Sequence, residues 1–110
     1  MNLITSCILT IVTAYATSAG GINCENHTCI TASGEKPGSH IATCGPAWSM
    51  GDYLWVEDYG IVRCGDRFGR PPAPYAVDVW METEQEALEW GWRKGVTICK
   101  IRGGKISIAE

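Results

Sequence analysis

Apolar and polar residues alternate with a period of two in several short runs of this chain, and Gly, Pro, Asn and Asp separate the runs. That period places successive side chains on opposite faces of a strand. Residues 8–15, rich in Ile, Val and Thr, read as a first strand suited to a pleated, half-buried surface. The stretch 16–38 is small, polar and glycine-containing, a long loop with a short strand at 29–32. Residues 39–44 form a strand that enters a turn at Gly45-Pro46. Two further strands, 53–56 and 61–64, flank Glu57-Asp58-Tyr59-Gly60, which has the composition of a hairpin turn. Residues 65–74 carry three prolines and are expected to be a loop, since proline cannot donate to a central ladder. Strands over 75–81 and 96–101 complete the set.

Between the last two strands the period changes. Thr83-Glu84-Gln85-Glu86 is a capping box, in which the threonine oxygen accepts from a backbone amide and Glu86 reaches back to the threonine N–H. A short helix therefore starts here and is expected to end near Gly91. Its glutamates, with Glu82 before it, read as a solvated face, and those in the first turn suit the helix dipole. Six or so short strands and one helix indicate an all-β domain closed into a six-stranded barrel, because closure removes exposed edges.

Composition narrows the classes. A chain of 110 residues is one domain, here 1–110 with its core at about 8–101, and 45% hydrophobic with 19% charged residues is incompatible with disorder. A formal charge of −3 argues against a nucleic-acid partner, which would require a basic face. The N-terminal apolar run is too short and too polar to span a membrane. Neither a phosphate loop nor a dinucleotide fingerprint is present, so no cofactor is expected.

Six cysteines, Cys7, Cys24, Cys29, Cys44, Cys64 and Cys99, are dense for a chain of this size, and their even number favours disulfides and an extracytoplasmic setting. Sequence does not choose among the pairings. A zinc site from Cys24, His27 and Cys29 is the rival reading, but the paired C-x-x-C spacing is missing, so no metal is expected. Asn26-His27-Thr28 is a glycosylation sequon, relevant only in a eukaryotic secretory pathway. Ala14-Tyr15-Ala16 resembles a signal-peptidase site, yet no Lys or Arg precedes it, and a first strand is the preferred reading.

Candidate chemistry rests on carboxylates. His27 and His40 sit in no recognisable nucleophile motif. Asp78 interrupts an apolar strand, and alternation points it away from Val77 and Val79 and toward the face of Ala76 and Trp80. A carboxyl beside an indole in a partly dry groove would have a raised pKa and act as a proton donor. An outward-facing, solvated aspartate is the commoner case for such a position. Asp66, in Cys64-Gly65-Asp66-Arg67-Phe68-Gly69, reads locally as an Asx-turn residue. The five tryptophans are core by default; some, with Tyr53 or Tyr75, would suit stacking against sugar rings.

Val12-Thr13-Ala14-Tyr15, Thr31-Ala32-Ser33-Gly34, Ile41-Ala42, Gly51, Tyr59-Gly60, Gly65-Asp66 with Gly69, Val77-Asp78-Val79-Trp80 and Glu86-Ala87 with Trp90-Gly91 occur in a specific order. In that order the chain resembles the three-aspartate (3D) domains: the catalytic double-psi β-barrel of the membrane-bound lytic transglycosylase A family and of small, including phage-borne, cell-wall-remodelling proteins. The resemblance implies a monomeric, extracytoplasmic protein (periplasmic, cell-wall or secreted) acting on peptidoglycan glycan strands. The bond cleaved would lie between N-acetylmuramic acid and N-acetylglucosamine, without water, leaving a 1,6-anhydro ring. Asp78 matches the family's acid/base, and Asp66 matches a second aspartate placed to orient the site or stabilise developing positive charge. Tyr15, Phe68, Tyr75 and Trp80 are then the aromatic candidates for contact with the sugars.

The chain also departs from the family's pattern. Cys44 stands where the first aspartate is expected, and Phe68 replaces a glycine of the usual Asp-Thr-Gly-Gly loop. A Cys44–Cys64 disulfide would stand in structurally for the lost aspartate. These departures favour a competing reading, a barrel that binds peptidoglycan or another polysaccharide without cutting it. A disulfide-stabilised structural or inhibitor protein is a third class.

Overall fold

A computed structural model describes residues 4–16 and 38–102. They form a closed, mixed six-stranded β-barrel with one short helix. The strands are β1 (Ile4–Ala16), β2 (Ile41–Cys44), β3 (Tyr53–Val56), β4 (Gly60–Arg67), β5 (Val77–Met81) and β6 (Arg93–Ile101), and the helix α1 (Glu84–Trp90) lies between the last two. Around the barrel the order is β1-β5-β2-β4-β3-β6, closing on β1. Two pairs, β1 with β5 and β2 with β4, run parallel, and the other four run antiparallel.

The alternation works as expected. Val12, Ala42, Leu54, Val56, Val62, Val77, Val79 and Ile98 point inward and form the core with Cys44, Cys64, Trp48 and Trp90. The run read as a possible leader is β1, which pairs on one side with β5 and on the other with β6. The hairpin of β3 and β4 turns through Glu57-Asp58-Tyr59, where Asp58 takes φ 66 and Gly60 φ 129. Glu57 is more than a turn residue, because its carboxylate accepts from the Thr97 amide at 2.9 Å and ties the turn to β6.

The capping box is present in full. Thr83 Oγ1 accepts from the Glu86 amide at 3.1 Å, and Glu86 Oε1 from the Thr83 amide at 3.3 Å. Gly91 ends the helix with φ 67, a conformation glycine adopts without steric cost. Trp90, the helix's buried residue, donates its indole N–H to the Val12 carbonyl at 3.0 Å and so locks α1 onto β1. The tryptophans divide: Trp48 and Trp90 are core, whereas Trp55 and Trp92 are exposed.

Some expected boundaries shift. β4 continues through Gly65, Asp66 and Arg67, which the prolines downstream had suggested were loop; the ladder with β2 persists to Arg67, and the prolines begin only at Pro71. β5 starts at Val77 rather than at residue 75, and β6 starts earlier, at Arg93. Two disulfides occur among the described residues. Cys7–Cys99 joins directly paired positions of β1 and β6, and Cys44–Cys64 joins β2 to β4. The short strand at 29–32, the sequon, Cys24, Cys29 and His27 lie outside the described residues.

Candidate active site

The site is built from one row of residues across four adjacent strands. Thr13 on β1 pairs with Asp78 on β5, Asp78 with Thr43 on β2, and Thr43 with Asp66 on β4. Directly paired residues share a face of the sheet, so all four project from the outside of the barrel wall. Asp66 and Asp78 are separated by Thr43, or two strand spacings, roughly 10 Å between their backbones.

A β-bulge decides that Asp66 belongs to this row. Ala42 pairs with the inward-facing Cys64, and the next pair is Thr43 with Asp66, leaving Gly65 as the extra residue. Without the bulge Gly65 would oppose Thr43 and the Asp66 carboxylate would turn into the core, since a one-residue slip reverses every side chain. Cys64 and Gly65 are both buried in succession, where strict alternation would expose one of them. The Cys44–Cys64 disulfide clamps the two strands on either side of this irregularity. Asp66 Oδ1 accepts from the Arg67 amide at 2.9 Å, so the local backbone bond expected of it is made, but within a strand.

Asp78 lies half-buried on the floor of a groove of about 430 Å³. Its lining comes from Thr13 and Ala14 of β1, from Ala87, Leu88, Gly91 and Trp92 in and just after α1, and from Phe68, Arg70 and Pro72 of the loop after β4. Thr13 Oγ1 donates to Asp78 Oδ1 at 2.7 Å. Burial raises the Asp78 pKa from 3.8 to about 6; the Thr13 hydrogen bond opposes the rise and the negative charge of Asp66 adds to it. The neutral form of Asp78 is thus populated near pH 6. Tyr15, paired with Trp80 two positions along, shares this face. Its phenol is pushed well above the ordinary range, first by burial and then by the charges of Asp78 and Asp66. Tyr15 is therefore a neutral O–H within the electrostatic reach of both carboxylates. Tyr59, whose pKa burial also raises, donates its hydroxyl to the Trp80 carbonyl and so steadies the end of β5.

The remaining aromatic candidates separate. Phe68 lines this groove and also a second cavity of about 330 Å³ formed with Cys44, Pro46, Arg67 and Pro71. Trp80 and Tyr75 line neither of these cavities; Tyr75 packs edge-on against Trp48, with ring centroids 5.2 Å apart. Cys44, at the position expected to hold an aspartate, is buried in the core and bonded to Cys64. Sequence reasoning missed Leu88 and did not single out Trp92 among the five tryptophans; they are 71% and 65% exposed and both line the groove. Their signal was present: two large apolar residues, one in the last turn of α1 and one just past its cap, flanking the Trp90 that makes the helix's core contact. It also missed the role of Thr13, because nothing local links that residue to one 65 positions away.

Among the described residues no group of three or more His, Cys, Asp or Glu side chains is placed to hold a metal ion, and no helix is long and apolar enough to cross a membrane. No protein-family model matches the chain, and no curated protein matches it.

Proposed function

We propose that the chain is a peptidoglycan lytic transglycosylase-like protein built on a double-psi β-barrel of the three-aspartate kind. One observation carries the reading: a half-buried carboxyl, Asp78, sits at the floor of an aromatic-edged groove with its pKa raised to about 6. The sequence resemblance assigns the acid/base role to the same residue. The two parallel pairs among six strands are in keeping with the proposed barrel class, in which crossing connections bring non-adjacent strands side by side.

In this mechanism protonated Asp78 gives its proton to the glycosidic oxygen as the C1–O bond breaks. Positive charge develops on the muramyl ring, and Asp66, charged and on the same face, lowers its energy through space. The Asp78 carboxylate then takes the proton of the C6 hydroxyl while that oxygen bonds to C1, closing the 1,6-anhydro ring and restoring the acid. No water is consumed, so no second carboxylate is required to activate one, unlike ordinary glycoside hydrolysis. Thr13 holds the carboxyl in one orientation through both protonation states, since its hydroxyl rotates to donate or accept. The disulfides favour an oxidising, extracytoplasmic location for this activity.

A second reading, a glycan-binding barrel without turnover, is favoured by Cys44: its sulfur is consumed in a disulfide inside the core, so the position contributes no carboxylate to the outer face. Incubation of wild type and Asp78→Asn with murein sacculi, followed by mass analysis of the soluble products, separates the two. Anhydro-muropeptides from wild type alone are expected. Co-sedimentation with sacculi and no soluble fragments would establish the binding module instead.

A further inference from the structure

The two cavities meet at a single side chain. Asp78 and Arg70 line the larger, Arg67 lines the smaller, and Phe68 lines both. The four consecutive residues Arg67-Phe68-Gly69-Arg70 therefore put an aromatic residue at the divide and one arginine in the lining on each side of it. Resting on the glycan reading above, we infer that this loop selects glycan strands bearing carboxylates, with Phe68 supporting a sugar between the cavities and Arg67 binding an acidic substituent of the sugar beyond it.

Three observations converge on this. A ligand long enough to pass Asp78 and continue into the second cavity must cross Phe68, whose face suits the C–H surface of a sugar ring. The Arg67 guanidinium is anchored, since Nη1 donates to the Trp48 carbonyl at 3.0 Å, and its remaining N–H groups are in a fixed fork that fits a carboxylate. The chain carries a net charge of −3, so its overall field does not gather anions; attraction has to be local, at this loop. That condition disfavours a polyphosphate, which needs an extended basic surface, and suits an occasional carboxylate on an otherwise neutral polymer. Arg67 and Phe68 are also two of the residues at which this chain departs from the loop of the family it resembles, so the selectivity would be its own.

The test uses the Asp78→Asn protein, which binds without turnover, and soluble peptidoglycan tetrasaccharides whose stem peptides carry either free or amidated carboxylates. Calorimetric titration at low salt is expected to show about tenfold tighter binding of the free-carboxylate form, with the difference shrinking as salt is added. Adding Arg67→Gln is expected to abolish the preference, Arg67→Lys to retain part of it, and Phe68→Ala to weaken both forms alike. Equal affinity for the two forms would overturn the carboxylate inference and leave the glycan reading standing. Binding of neither would overturn both. Full preference in an Arg67→Gln protein that melts normally would also overturn it.

Discussion

Asp78→Asn provides the sharpest test of the site, because it should stabilise the protein while removing the proposed proton donor. Asp78 titrates at about 6 in the folded barrel rather than at 3.8, mainly because burial disfavours its charged form. The folded state therefore holds the proton more tightly than the unfolded chain does. Below about pH 4 both states are protonated and nothing is lost. As pH rises from 4 to 6 the unfolded chain releases its proton first, and folding stability falls throughout that window. Above pH 6 the loss is complete, and the difference between 3.8 and about 6 corresponds to at most about 3 kcal/mol. Asparagine mimics the neutral acid in shape, and its oxygen still accepts from Thr13. Urea unfolding with the disulfides intact should show wild type and variant nearly equal at pH 3.5. At pH 7.5 the variant's midpoint should be higher by about 1 M or more, with the slope of the transition unchanged. A stability gap that is the same at both pH values, or a variant weaker at pH 7.5 only, would refute the account of a buried, destabilising carboxylate.

The other expectations concern what tunes and holds the row. Thr13→Val removes a hydrogen bond that favours the charged form, so the Asp78 pKa should move further up, whereas Asp66→Asn removes a neighbouring negative charge and should move it down; NMR titration of the Asp78 carboxyl reads both. Replacing Cys44 and Cys64 together by Ala opens a link spanning 20 residues, with an expected loss of about 3 kcal/mol in urea unfolding. That variant should also change the Asp66 contribution to the Asp78 titration, because the bulge beside Cys64 is no longer clamped. Thr83→Ala removes half of the capping box and should cost about 1 kcal/mol, measurable as a lower melting temperature with the Asp78 titration unchanged.

Much of this molecule was legible in the chain because much of it is local. Inward Val77 and Val79 with outward Asp78 follow from a period of two, whichever strands flank them. The start of α1 follows from the side chains of Thr83 and Glu86, three residues apart, and its end from the conformational freedom of Gly91. What the chain could not show was who stands beside whom. Asp78 became a half-buried, threonine-bonded acid because barrel closure laid β5 parallel to β1, a pairing across 65 residues for which no local signal exists. Asp66 read as a loop residue because its neighbours are glycine and, further on, prolines; only the ladder with β2 keeps it in a strand, and only the bulge at Gly65 turns its carboxylate outward. The groove itself is a tertiary product, since its walls come from α1 and from the loop carrying Phe68, brought over the row by packing. Alternation and capping are set within a few residues, so sequence determined most of the elements and the facing of side chains wherever the strand period runs unbroken. Register and enclosure depend on long-range pairing, so the tertiary structure alone assembled a site from them.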